Sequence, residues 1–211
     1  VTALVLDRLP LLRFDILMES VSFLISFAIA YFALRAYRVT RQKGILYLHL
    51  GFLLMAVAML ARVVSVSSLL LVSEPVAPRG SLDVLLFTVE VVYSAVRFLA
   101  YGIFVLMYAR HSLRQPEGLV LAVLPFLVYN PFFELGAALL LIYVVLQTAL
   151  NWLVSKKVEA SLVFVGFALL MVSHVLFLLT LRGFGFYLAG QASQLAGLML
   201  MLAMVVKVNK G

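Results

Sequence analysis

Cysteine is missing from all 211 residues, which removes disulfides, thiolate chemistry and cysteine-ligated metals. Charge is scarce too: 12% of the residues are Asp, Glu, Lys or Arg, and only nine of these are acidic. No hydrophilic stretch is long enough to form a second domain. What remains is apolar. A hydrophobic content of 65% and a mean hydropathy of +1.17 exclude an ordinary soluble domain.

The apolar residues fall into seven stretches, Phe14–Leu34, Ile45–Val72, Leu82–Ala109, Gly118–Tyr129, Pro131–Val154, Ala160–Leu181 and Phe184–Val206. About 20 apolar residues cross a hydrocarbon core ~30 Å thick, and the fourth stretch alone falls clearly short of that. Runs of this length without period-2 alternation read as helices, because in hydrocarbon every backbone group has to be paired within its own segment. The expected fold is an all-α polytopic membrane bundle of seven transmembrane helices forming one domain over residues 1–211.

Basic residues orient it. With the fourth stretch spanning and the N-terminus outside, the inner side holds Arg35, Arg38, Arg41, Lys43, Arg110, Arg114, Lys156, Lys157, Lys207 and Lys210. The outer side holds Arg8, Arg13, Arg79 and Arg182. Ten against four has the sign that positive-inside topology requires, whereas a fourth stretch that dips and returns gives seven against seven. N-out, C-in follows, with a cell-membrane location. Tyr37, Tyr47, Tyr108 and Trp152 lie at the inner level, and Tyr129, Phe184 and Tyr187 at the outer level, as interfacial belts do. Asp15 and Glu19 interrupt what would otherwise resemble the apolar region of a signal peptide. Residues 1–13 are expected as a short outer segment. Asn130-Pro131 suits a helix start, and Pro125 a kinked fourth helix.

Shifting the chain on itself by 115 residues lays Glu19 on Glu134, Tyr37 on Trp152, Val39-Thr40-Arg41 on Val154-Ser155-Lys156 and Gly51-Phe52 on Gly166-Phe167. With a shorter offset, Ala95, Arg97, Met107 and Arg110 meet Ala192, Gln194, Met204 and Lys207. The implied plan is a parallel 3+1+3 repeat, 14–109 and 131–207, joined by a linker helix at 118–129. In outline this resembles the SWEET and PQ-loop transporters and, less closely, the seven-helix opsins. The resemblance is architectural: no Pro-Gln pair occurs, and Phe184–Val206 contains no lysine to carry a retinal Schiff base. Parallel-repeat transporters place their site at the repeat interface.

Ionisable groups inside spans are expensive and face the bundle interior by default, marking candidate sites. At ~1.5 Å per residue, Glu134 and Gln191 lie ~6 Å from the outer ends, Glu19 ~8 Å and Gln194 ~10 Å. Glu90 and His174 fall near ~12 Å, Arg62 near ~15 Å and Arg97 near ~22 Å. Glu90, Tyr93, Arg97 and Tyr101 share one helix face. Tyr143, Gln147 and Asn151 form another stripe nearer the inner side, so a polar track is expected to continue inward from an outward-opening cavity.

Other chemistry is disfavoured. His49 and His174 lie ~20 Å apart along the normal, too far for bis-histidine haem ligation. Neither His-x-x-x-His nor Glu-x-x-His occurs, nor a Gly-x-Ser-x-Gly elbow, so no enzyme and no cofactor are expected. The +7 net charge is mostly topology, suited to anionic lipid headgroups and not to nucleic acid. The expected function is a small transporter or channel-like protein for a cation, a proton-coupled solute or a small polar molecule. A receptor-like sensor and a non-catalytic subunit of a larger membrane complex are the alternatives. Lipids, a polar solute or cation, and a partner membrane protein or second copy are the expected partners.

Overall fold

The computed structural model describes residues 9–72, 79–112 and 130–210. It is helical throughout: α1 (Leu9–Thr40), α2 (Lys43–Val72), α3 (Arg79–Ser112), α4 (Asn130–Ser155), α5 (Val158–Leu178) with a 3-10 turn at Leu179–Arg182, and α6 (Phe184–Lys210). All six are long and apolar enough to cross a membrane. The chain is accordingly read as a multi-pass membrane protein. The short stretch Gly118–Tyr129 lies outside the described residues.

Each helix packs on its neighbours in this order, and α6 closes on α1, so the six form a ring. The α3–α4 and α6–α1 seams are the looser ones. One end of the ring carries Asp15, Glu90, Glu134 and Tyr187, and the other carries Lys43, Tyr108, Asn151 and Met204. Helices α1, α3, α4 and α6 therefore run from the Asp15 end to the Lys43 end, while α2 and α5 run back. Asn209 fixes the parallel α1–α6 pair by donating its amide to the Phe32 carbonyl at 3.1 Å.

The periodicity of α1 explains the ring. Asp15, Glu19, Ser22, Ser26, Ile29 and Ala33 are buried, whereas Leu17, Leu24, Phe27 and Tyr31 are exposed. One face is polar and inward, the other large, apolar and outward, which suits lipid and not water. α4 repeats the outward stripe with Leu135, Leu139, Ile142, Leu146 and Leu150.

Two features recur 115 residues apart. Arg41 (φ 56°) and Lys156 (φ 53°) are the non-glycine residues with positive φ among those described. Each ends its helix by donating its amide four residues back, Arg41 to Tyr37 and Lys156 to Trp152, both at 2.8 Å. Such left-handed caps satisfy a terminal carbonyl and usually employ glycine; here both positions keep a basic side chain. Likewise Gly51 makes room for the Phe104 ring and Gly166 for the Met201 side chain. Phe52 and Phe167, the next residues, are both fully buried.

Helices α5 and α6 touch backbone to backbone. A Cβ at Gly197 would stand 2.8 Å from the Gly166 carbonyl oxygen, where no flexible side chain can yield. Gly197→Val is expected to cost about 1–3 kcal/mol through overpacking. Thermal unfolding in detergent checks this, with Gly44→Ala as the neutral control, since a Cβ there meets nothing within 4 Å.

Candidate functional site

The Asp15 end of the ring is built around two arginines. Arg62 of α2 reaches three carboxylates, Asp15 and Glu19 of α1 and Glu90 of α3, each at 2.8 Å. Asp15 and Glu19 are four residues apart and so share a face of α1. The guanidinium also lies 5.0 Å from the centre of the Tyr93 ring. Asp15 in turn accepts hydrogen bonds from the Tyr187 hydroxyl and, at 3.3 Å, from Gln191 Nε2. Gln191 Nε2 also donates to Tyr187 at 3.0 Å.

Arg97, one helical step deeper on α3, is 5% exposed and has no ion pair with a carboxylate among the described residues. It donates instead to Tyr93 at 2.9 Å, Tyr101 at 3.4 Å and Gln194 Oε1 at 3.2 Å. Its Nη2 also stands 3.3 Å from His174 Nε2. The Glu134 carboxylate accepts from His174 Nδ1, so Nε2 of the neutral ring is the acceptor, receiving the hydrogen bond of the Tyr101 hydroxyl at 2.7 Å. The network thereby assigns the histidine proton to Nδ1, which faces Glu134 Oε2 at 2.5 Å. Tyr93 joins the two arginine clusters, donating to Glu19 at 2.5 Å while accepting from Arg97. All six described helices supply at least one member.

These side chains surround a cavity of about 260 Å³, lined by Asp15, Glu19, Arg62, Glu90, Tyr93, Ser94, Arg97, Glu134, Phe177, Tyr187 and Gln191. Several buried polar atoms around it have no protein partner: Glu19 Oε2, Arg97 Nε, Gln191 Oε1 and Gln194 Nε2. Buried polar groups normally find partners, and these four, each with almost no accessible surface of its own, stand unpaired beside the cavity.

Of the residues singled out from sequence, Glu19, Arg62, Glu90, Arg97, Glu134, His174, Gln191 and Gln194 all belong to this network, the last through Arg97 and behind the cavity wall. Sequence reasoning assigned no role here to Asp15, Tyr187 or Phe177. The i, i+4 spacing of Asp15 with Glu19, and of Tyr187 with Gln191, was the available signal. Tyr187 does not serve the interfacial belt that its position near a helix end suggests: its hydroxyl turns inward to Asp15.

The expected inward polar track is interrupted. Below Tyr101 the ring is filled by Phe52, Phe104 and Phe167, with centroid separations of 5.0 and 5.2 Å, together with Met55, Leu141, Leu170, Leu198 and Met201. All of these are fully buried. Gln147 and Asn151 lie beyond this layer, in a separate cavity of about 750 Å³ at the Lys43 end that Lys43, Tyr47 and Tyr108 also line. Tyr143 packs against the core instead.

Removing one partner from a buried ion cluster leaves the rest uncompensated, at a typical cost of about 3–5 kcal/mol. Arg62→Ala strands three carboxylates and should lower the thermal midpoint in detergent sharply. Arg62→Lys keeps the charge but not the fork, and should lose less.

No family model matches the chain, and no curated protein or solved structure matches it either.

Proposed function

We propose that the protein is a small seven-crossing membrane transporter or channel-like protein, N-terminus out, that receives a cation, a proton-coupled solute or a small polar molecule at its Asp15 end. The observation that carries this reading is the cavity whose wall holds four carboxylates and two guanidiniums at membrane depth, with unpaired polar atoms beside it. A scaffold has no need of a void among its most expensive groups. The second cavity at the opposite end, on the same axis and closed off only by an apolar layer, favours passage over mere reception.

The directions of the helices support a seventh crossing. Helices α3 and α4 run parallel, so the chain leaves α3 at the Lys43 end and enters α4 at the Asp15 end. The paired left-handed caps and paired glycine contacts support the duplication of 14–109 in 131–207. On this reading the polar network sits between the two halves, where parallel-repeat transporters hold solute.

Absence of native cysteine makes the topology directly testable. Single Gln115→Cys and Tyr129→Cys variants should label with a membrane-impermeant maleimide from opposite sides; labelling from one side removes the extra crossing. Transport is tested in proteoliposomes, with a pH-sensitive dye for protons and osmotic swelling for urea, glycerol and ethylammonium chloride. Permeation above protein-free vesicles is expected for at least one probe, and Glu90→Gln should reduce it to background while remaining folded. No permeation of any probe overturns the transport reading, and unchanged permeation in the variant removes Glu90 from the mechanism.

A further inference from the structure

The lining of the outer cavity is unbalanced, and its imbalance has a direction. Four carboxylates (Asp15, Glu19, Glu90, Glu134) face two guanidiniums (Arg62, Arg97), leaving two negative charges in excess with His174, which bonds Glu134 from behind the wall, neutral. The hydrogen bonds lean the same way. Glu19 is 3% exposed and Gln191 4%, and each keeps a buried oxygen that accepts nothing from the protein. The Gln191 orientation is fixed, because its nitrogen serves Asp15 and Tyr187, so its remaining atom is an acceptor. Both residues line the cavity. Among the lining side chains, two unpaired acceptors therefore stand against one unpaired donor, Arg97 Nε, while the unpaired Gln194 Nε2 lies behind the wall.

From this we infer that the cavity at the Asp15 end takes a compact organic cation, a primary ammonium or a guanidinium, which competes with Arg62 for the same carboxylates. The inference deepens the solute-handling reading above and rests on it. Arg62 itself shows what the cradle accepts. Its fork satisfies three carboxylates and stacks on Tyr93, whose other partner is a second guanidinium, also 5.0 Å from the ring centre. Arg62 is the more accessible of the two arginines, with 16% of its side chain exposed, whereas Arg97 is held by two tyrosines and a glutamine. It can therefore withdraw toward the mouth as a solute enters.

Other ligand classes fit less well. An anion would meet four carboxylates. Among the described residues no three His, Asp or Glu side chains group as a metal shell, and a guanidinium already fills the centre of the acidic cluster. There is room: at a share of ~30 Å³ per water, 260 Å³ holds roughly eight waters, enough for a compact cation together with part of its hydration.

A bound cation also solves a problem that a carrier of this kind meets. Three carboxylates cannot be left unpaired in low dielectric while the protein changes shape. With Arg62 tethered beside them, the three carboxylates keep one cationic partner in the solute-free form, so exchange of one cation for another is not required for return.

The test uses purified full-length protein in detergent at constant ionic strength, set with sodium chloride. Ethylammonium and methylguanidinium chloride are titrated by calorimetry and by thermal unfolding, against acetamide, sodium acetate and calcium chloride. Saturable binding of both organic cations, with no response to acetamide or acetate, is expected. Glu19→Gln should weaken that binding by about tenfold or more, the loss of one charged hydrogen bond. Arg62→Gln should bind methylguanidinium more tightly than the unaltered protein does and regain thermal stability when it is added. An equal response to acetamide, stabilisation by calcium alone, or no saturable response of the unaltered protein to either cation would each overturn the inference. Cation binding without flux in proteoliposomes removes transport and leaves the site standing; flux of another solute without cation binding does the reverse.

Discussion

Two guanidiniums held among the helices, both lining the cavity and the deeper one buried, dictate the arrangement of this bundle. An arginine inside a membrane protein must be answered by carboxylates or by neutral acceptors, and this chain uses one solution for each. Arg62 is answered by charge, from α1 and α3. Arg97 is answered by dipoles: two tyrosine hydroxyls, a glutamine oxygen and an imidazole nitrogen. The Arg62 cluster ties α2 to its two neighbours, whereas Arg97 reaches across the ring to α5 and α6. The polar network, more than apolar packing, specifies which helices face one another at the Asp15 end, since lipid tails would satisfy the apolar side chains equally well.

The other half of the ring follows the opposite rule. Phe104 stands at its centre against Phe52 and Phe167, admitted on one side by Gly51. Nothing in that layer can hydrate an ion, so it separates two cavities of unlike chemistry: acidic and aromatic at one end, with Lys43 and neutral amides at the other. A solute crossing this layer would require its aromatic and methionine side chains to move. Met55, Met201 and Phe104 have the rotatable bonds to do so, whereas the close α5–α6 contact at Gly166 and Gly197 has no such freedom. Any opening is thus more readily accommodated along the loose α3–α4 and α6–α1 seams than within the tight helix pairs.

Much of this was legible in the sequence because the energetics are one-sided. A charged residue inside an apolar run has few places to go, so the sequence groups Glu19, Arg62, Glu90, Glu134, His174 and Gln194 in one cavity without their distances, with Arg97 on the track leading inward from it. Partnerships were less legible. Arg62 with Glu90 follows from depth, but its sharing of Asp15 and Glu19 needed the crossing of α1 and α2. Tyrosine is ambiguous by nature: Tyr187 near a helix end fits an interfacial belt as well as a hydrogen bond to Asp15. The apolar layer was invisible because its members come from five helices and are ordinary on each. Gln147 and Asn151 therefore looked continuous with Arg97 along a shared direction, though three phenylalanines separate them.

The proposed duplication also explains why the centre is chemically lopsided. Scaffold positions keep their character between halves: Arg41 and Lys156 cap, Gly51 and Gly166 admit a neighbour, Phe52 and Phe167 fill the core. The arginine positions do not, for Arg97 falls on Gln194 and Arg62 on Phe177, although Glu19 keeps its counterpart in Glu134. The difference is demanded by electrostatics. Arg97 and Gln194 meet at 3.2 Å, so a second arginine there would press two guanidiniums together in low dielectric. Glutamine supplies an acceptor to the same guanidinium without charge. Symmetry can be kept where side chains only pack, and must be broken where equivalent side chains touch across the seam.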